Sequence, residues 1–134
     1  MAGRGHKDIF ARDIEWTRAG DGVRYAGFPL DPDDAGAGPL MVLAQFAPGE
    51  VVDPHTHDCN YIEYITQGSQ MVGKIDFAAG DVRWASAGTG YGPIKVGPEG
   101  CTVLIVFQNG AKSPPMMLGK AKQTAKLVRS GEMR

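Results

Sequence analysis

The chain has 134 residues, of which 43% are apolar and 22% are charged, and its formal net charge is −1 at pH 7. This length predicts a single domain with a substantial core, and the near-neutral charge excludes the strongly basic surface of many nucleic-acid-binding proteins. The longest aliphatic or aromatic run spans only residues 103–107, far short of the roughly 20 residues that a membrane helix needs.

The N-terminus and the cysteines bear on the cellular compartment. Residues 1–10 contain no apolar stretch of signal-peptide length, so we expect a cytoplasmic protein with neither nucleic acid nor a membrane as partner. Cys59 and Cys101 are the two cysteines, which is too few for a disulfide scaffold. We therefore expect both to be free thiols.

Nineteen glycines and nine prolines without a collagen-like period predict many turns and short strands. A polar tail over 1–8 precedes an alternating pattern over 14–28 that predicts a hairpin. Further strands are predicted over 40–46, 61–66, 70–77, 82–85 and 102–108. Residues 86–100, with five glycines and two prolines, are expected to be mostly loop. The pattern predicts an all-β barrel or jelly roll over 9–115, followed by a tail or short helix over 116–134.

Two of the three histidines, His55 and His57, are separated by one residue and precede a predicted strand. Residues i and i+2 of a strand face the same side, so both imidazoles can converge on one point inside a barrel. Two neutral imidazoles make half of a first-row metal site. The alternative is a pair of hydrogen-bonded histidines in a wet barrel mouth.

The segment around these histidines resembles the first motif of the cupin superfamily, which combines glycines, a His-x-His pair and a glutamate at defined spacing. The matching positions here are Gly49, His55, His57, Tyr61 and Gly68. A second segment, from Gly80 through Gly88 to Tyr91, follows the spacing of the second cupin motif. The resemblance covers about residues 40–108. It implies a cupin-like double-stranded β-helix, or jelly-roll barrel, and a homodimer formed through sheet edges.

The departures from the cupin motifs concern the metal ligands. Tyr61 stands at the usual glutamate position and Tyr91 at the usual third histidine, while Ser86 and Lys95 replace the usual proline and asparagine. Each tyrosine therefore has two interpretations. It can act as a ligand or acid/base group, or its ring can simply pack in the barrel.

Glu63 is the best sequence candidate for a third ligand, because it shares a strand face with Tyr61 if the strand is regular. With His55 and His57 it would form the two-histidine, one-carboxylate triad of non-haem iron sites. A register slip of one residue would instead turn it to solvent. Cys59 shares the parity of the histidines, and its alternatives are a thiolate ligand or a small buried hydrophobe.

We therefore expect a divalent metal ion (Fe, Mn, Ni or Zn) on His55, His57 and a third oxygen ligand, with a small organic molecule inside the barrel. The resemblance implies a metal-dependent enzyme of the dioxygenase, isomerase or lyase type, with Tyr61, Glu63 and Tyr91 as the catalytic candidates. The alternative is a non-catalytic module that binds or senses a metal or a small molecule. The Gly-x-Ser-x-Gly and phosphate-loop motifs are absent from the sequence.

Overall fold

The computed structural model describes residues 5–118, and their regular structure is almost entirely antiparallel β-sheet. The strands are β1 (Thr17–Arg18), β2 (Val23–Pro29), β3 (Leu40–Phe46), β4 (Val51–Val52), β5 (His55–Thr56), β6 (Tyr61–Val72), β7 (Ile75–Ala78), β8 (Val82–Ala85), β9 (Ile94–Phe107) and β10 (Met116–Met117). Short 3-10 helices lie at Ala11–Asp13 and Gly110–Lys112. The predicted all-β fold is confirmed. No helix in the described range is long and apolar enough to cross a bilayer.

The long strands β6 and β9 organise the main sheet, whose order is β1-β2-β3-β9-β6-β7. β4 also pairs with β9, and β8 also pairs with β6, while β5 and β10 form a separate pair. Because β6 and β9 change partners along their length, the sheet wraps around one interior. The larger of two buried apolar clusters is formed by inward-facing residues of these two strands, including Ile65, Val96 and Val103.

One bulge in β6 reverses which side chains face the interior. In the first half of the strand the buried positions are 61, 63 and 65, as regular alternation requires. Between residues 65 and 67 the register against β9 shifts because β6 has one extra residue, Thr66. This single extra residue changes the parity of the strand, so Gln70 and Val72 are the buried residues beyond it. At a second shift, between residues 68 and 70, the extra residues belong to β9.

Gly68 lies between the two register shifts of β6 and has a φ of +78°. A Cβ atom at this position would collide with the carbonyl oxygen of Gly100 on β9. Glycine is therefore required here both by its backbone angle and by the close approach of the two strands.

The start of β9 differs from the sequence expectation, since the interval 86–100 was expected to be mostly loop and β9 begins at Ile94. Gly97, Pro98 and Gly100 do not end the strand. They lie in a bulge in which four residues of β9, 97–100, are opposite the single residue Ser69 of β6. Pairing with β4 and the second half of β6 maintains the strand on the N-terminal side of this bulge.

Both ends of the described chain add strands to the barrel. The predicted hairpin over 14–28 is present as β1 and β2. Residues 116–118, expected in a tail or short helix, instead form β10 against β5 and place Leu118 in the core at 1% exposure. Of that expected tail, residues 119–134 lie outside the described range, as do residues 1–4 of the expected N-terminal tail. The division into tail and barrel domain stays a prediction.

Candidate functional site

A cavity of about 580 Å³ opens inside the barrel. Most of its wall is aliphatic or aromatic and comes from β2, β3 and β9. The polar side chains that reach it are few, namely those of Tyr25, His55, His57, Glu63, Gln70, Tyr91 and Ser113. An apolar cavity of this size with a few convergent polar groups is typical of a small-molecule binding site.

The His-x-His segment is held rigidly at one end of this cavity. His55 exchanges two backbone hydrogen bonds of 3.0 Å with Tyr91, which join the two cupin-like motifs directly. Thr56, between the histidines, is fully buried and donates from Oγ1 to the carbonyl oxygen of Thr89 at 2.7 Å. Both imidazoles are buried, with 7% exposure for His55 and 6% for His57.

Backbone carbonyls set the tautomers of both imidazoles. Nδ1 of His55 donates to the carbonyl oxygen of Asp53 at 2.9 Å, and Nδ1 of His57 donates to that of Ser113 at 2.7 Å. A carbonyl oxygen can only accept, so each Nδ1 carries the hydrogen and each Nε2 presents a lone pair. Metal-ligating histidines commonly have this arrangement, with the second ring nitrogen tied to a carbonyl or carboxylate.

The two Nε2 atoms converge on the Tyr91 hydroxyl, which is 2.6 Å from Nε2 of His55 and 3.2 Å from Nε2 of His57. Burial lowers the pKa of His57 to about 4 and also lowers that of His55, so both rings are neutral near pH 7. The phenol has one proton to donate, and its shorter contact is with His55. The lone pair of His57 therefore faces the same oxygen without a proton between them.

Glu63 does not join the histidines as a third ligand. Its carboxylate is bound by Arg83, with Nε 3.2 Å from Oε1 and Nη2 3.1 Å from Oε2. Within residues 5–118, no three His, Cys, Asp or Glu side chains lie close enough to hold a metal ion together. The expected triad of His55, His57 and Glu63 is thus not assembled, because β8 places a guanidinium directly opposite the carboxylate.

Comparison with solved structures finds this architecture in several proteins. The polyketide cyclase RemF from Streptomyces resistomycificus matches with a TM-score of 0.70 and 15% identity, over 93% of this chain and 94% of that chain. KdgF from Halomonas sp. matches with a TM-score of 0.64 and 20% identity, over 78% and 96%. An RmlC-like cupin from Shewanella frigidimarina matches with a TM-score of 0.65 and 17% identity, over 78% and 92%. The chain has a cupin fold.

A longer enzyme contains the same cupin fold. Oxalate decarboxylase from Bacillus subtilis matches with a TM-score of 0.67 and 21% identity over 84% of this chain, but over 33% of its own length. Searches of protein-family models and of curated proteins found no match. The resemblance that the sequence motifs predicted is thus confirmed by structure, at the level of the fold.

The two tyrosines at cupin ligand positions have different surroundings. Tyr91 lines the cavity beside the histidines. Tyr61 is 3% exposed, does not line the cavity, and packs its ring 4.9 Å from that of His57 and 5.5 Å from that of Phe107. Its hydroxyl accepts a 3.2 Å hydrogen bond from Nη2 of Arg83. Burial raises the pKa of both phenols, and Arg83 opposes this rise.

Both cysteines are free and buried, as expected. The thiol of Cys59 donates to the carbonyl oxygen of Asn109 at 3.6 Å. Cys59 therefore belongs to the wall around Tyr61 and Phe107, and the packing interpretation describes its contacts.

Sequence reasoning missed three cavity or near-cavity residues: Arg83, Gln70 and Ser113. Arg83 could have been identified from the sequence. It lies in the predicted strand 82–85, and a basic residue on the inward face of a strand requires an anionic partner. Gln70 faces inward because of the one-residue bulge between Ile65 and Gln67 in β6. Ser113 contributes a backbone carbonyl from a loop, which no side-chain pattern reveals.

Proposed function

We propose that the protein is a metal-binding cupin that receives a small, largely apolar organic molecule in its barrel, with His55, His57 and Tyr91 as the metal ligands. One observation carries this proposal. Two imidazole nitrogens with fixed lone pairs and one phenol oxygen converge at 2.6 and 3.2 Å inside a buried cavity. One phenolic proton cannot satisfy both lone pairs, whereas a cation shared by all three atoms would.

The donor set suits a divalent transition metal. Imidazole nitrogen suits zinc, copper, iron and nickel, and donor atoms around a tetrahedral zinc ion lie about 3.3 Å apart. The 3.2 Å separation between His57 and Tyr91 is close to this value, whereas the 2.6 Å separation between His55 and Tyr91 is shorter, so these two groups would have to move apart on binding the metal. The Mn(II) centres named for oxalate decarboxylase support the same class of cofactor in this fold.

Tyr91 would have to lose its proton to act as a ligand. Burial raises the pKa of its phenol strongly, but a bound cation lowers the pKa of its ligands. The guanidinium of Arg83, 4.2 Å from the centre of the Tyr91 ring, also favours the phenolate, but Glu63 and Tyr61 raise the pKa of the phenol, so the metal would have to supply most of the stabilisation. The phenol O–H donates its short hydrogen bond to Nε2 of His55, so His55 is the nearest group that could take up the proton.

The wall defines the ligand class and the chemistry. The aliphatic and aromatic lining would shield an apolar ligand body from water, and the two histidines and Tyr91 contribute polar groups to the same lining. When bound, the metal would supply Lewis-acid polarisation of a ligand oxygen. This chemistry agrees with an enzyme of the dioxygenase, isomerase or lyase type.

The same hydroxyl supports a second candidate, a binding module that needs no metal. The Tyr91 hydroxyl lies within hydrogen-bonding distance of both imidazoles and fills the space between their Nε2 atoms. In that case the cavity binds its small molecule without turnover.

The deciding experiment is metal titration of tag-free, chelator-treated protein with Zn(II), Mn(II), Fe(II) and Ni(II), measured by calorimetry and by elemental analysis after desalting. We expect one metal per chain in the native protein and none in the His55→Ala/His57→Ala variant. Tyr91→Phe should lose roughly tenfold or more in affinity. The matched control is His6→Ala, which removes an exposed histidine and should bind as the native protein does. Absence of uptake by the native protein would reject the metal centre and leave the second candidate.

A further inference from the structure

Gln70 carries the strongest feature of the cavity that the metal proposal does not use. Its side chain lines the cavity and is 3% exposed. Among the described residues, its Oε1 is the single buried side-chain oxygen or nitrogen without a hydrogen-bond partner. An acceptor left unpaired in an apolar environment destabilises a fold, so an alanine- or leucine-like side chain would serve the barrel better.

The neighbours of Gln70 cannot satisfy this amide. On β7 and β9 the residues directly opposite are Phe77 and Val96, whose side chains carry no donor. The buried cluster that β6 and β9 share is mostly aliphatic and aromatic, and it also includes Cys101 and Tyr91. The Gln70 side chain borders the cavity, so a turn of the amide about its last side-chain bond would bring Oε1 to a partner on the cavity side.

The inward position of Gln70 depends on the one extra residue, Thr66, at the first register shift in β6. Without it, residue 70 would share the outward face of Ile62 and Tyr64 and its amide would be solvated. The fold thus turns a polar residue inward at a place where an uninterrupted strand would keep it outside.

We infer that Gln70 is a specificity-determining residue of the cavity, and that its amide accepts a hydrogen bond from an uncharged N–H or O–H donor on an otherwise apolar ligand. The ligand is uncharged at this point because the surrounding wall is apolar and Gln70 has no charge to offset. The amide also offers N–H donors, so a group with a donor beside an acceptor, such as a carboxamide, fits both of its ends. This inference rests on the proposed use of the cavity as a small-molecule site, but it does not require the metal.

The test uses two compounds that differ only in the donor. 2-Naphthamide and 2-acetylnaphthalene share the ring system and the carbonyl, and an NH₂ group in the first is replaced by a methyl group in the second. Binding to chelator-treated native protein is measured by calorimetry or by naphthalene fluorescence. We expect the amide to bind about tenfold more tightly than the ketone, and the ratio to fall to about one in Gln70→Met.

Gln67→Met is the matched control, because Gln67 lies on the same strand with an exposed side chain. This variant should keep the native ratio. Equal binding of the two compounds to the native protein would overturn the inference. So would a ratio that survives in Gln70→Met, or a lack of binding of both compounds.

Two further measurements separate this inference from its alternatives. Gln70→Met should be at least as stable as the native protein in urea, since it removes an unpaired buried amide. A marked loss of stability would show that Gln70 is structural and would overturn the inference. Metal uptake should be unchanged in Gln70→Met, whereas His55→Ala should lose metal and keep the amide-to-ketone ratio, so each proposal can fail alone.

Discussion

Arg83 and Glu63 face each other across β8 and β6 and form a two-point contact inside the barrel, with N–O distances of 3.2 and 3.1 Å. Their side chains are 15% and 6% exposed. Burial raises the pKa of Glu63, and the guanidinium opposes this rise. Burial would lower the pKa of Arg83, but attraction to Glu63 and the phenols leaves it above its ordinary value. Glu63 is therefore paired with Arg83 and is not among the proposed metal ligands.

Removing one member of this pair should destabilise the protein strongly. Arg83→Met leaves the Glu63 carboxylate buried without its counter-charge, and we expect a loss of about 3–5 kcal/mol in the free energy of unfolding. Urea denaturation at pH 7 measures it. The double variant Arg83→Met/Glu63→Leu should recover most of the loss, and Arg24→Met, whose partner is the neutral Gln45 at 2.7 Å, should cost about 1 kcal/mol. Equal losses in Arg83→Met and Arg24→Met would contradict the role of the buried pair.

The metal-free protein should lose stability as the pH falls from 6.5 towards 4. Burial lowers the pKa of His57 from 6.5 to about 4, so in this window the unfolded chain binds a proton that the folded chain does not. The loss can reach about 3 kcal/mol. His55 acts in the same direction, and Arg83 lowers the pKa of both rings.

Variants isolate the contribution of His57 to this pH dependence, because Glu63, whose pKa is raised, acts in the opposite direction. Urea denaturation of the chelator-treated protein at pH 7 and pH 4.5 should show a smaller pH effect in His57→Gln than in native protein or in His6→Gln. An unchanged pH effect in His57→Gln would show that the ring is not buried as a neutral group.

Gly68 should be far less tolerant of substitution than a glycine with positive φ in open space. In Gly68→Ala the new Cβ meets the backbone carbonyl of Gly100, and we expect a loss of about 3 kcal/mol or more. Gly73, in the turn after β6, has a φ of +62° and open space around it, so Gly73→Ala should cost about 1 kcal/mol. Thermal unfolding of the two variants compares them, and similar melting temperatures would contradict the close approach of β6 and β9.

We expect the protein to form a homodimer through the outer face of its sheet. Ile62, Tyr64, Val82 and Trp84 form adjacent cross-strand pairs there and are 41–64% exposed. A contiguous apolar face of this kind suits a second copy, and the net charge of −1 gives little repulsion. Light scattering should report a dimer that Trp84→Glu converts to a monomer, whereas Leu30→Glu, in a loop, should leave it intact. A monomeric native protein would refute this expectation.

The sequence by itself determined the strand content and the cupin resemblance, because alternation, turn residues and the His-x-His spacing are local properties. It also placed His55, His57 and Tyr91 in matching motif positions, and the structure brings these three together. For Glu63 the sequence left two positions open, inward on a regular strand or solvated after a register slip, and the structure has it inward with 5% exposure.

Only the tertiary structure decided which groups these side chains meet. Arg83 pairs with Glu63 through strands that are adjacent in space and distant in sequence. Gln70 faces inward because β6 has one extra residue where its register against β9 shifts, and the Nδ1 partner of His57 is a carbonyl 56 residues away. Pairing register and long-range backbone contacts depend on how the strands pack, so no local pattern in the chain encodes them.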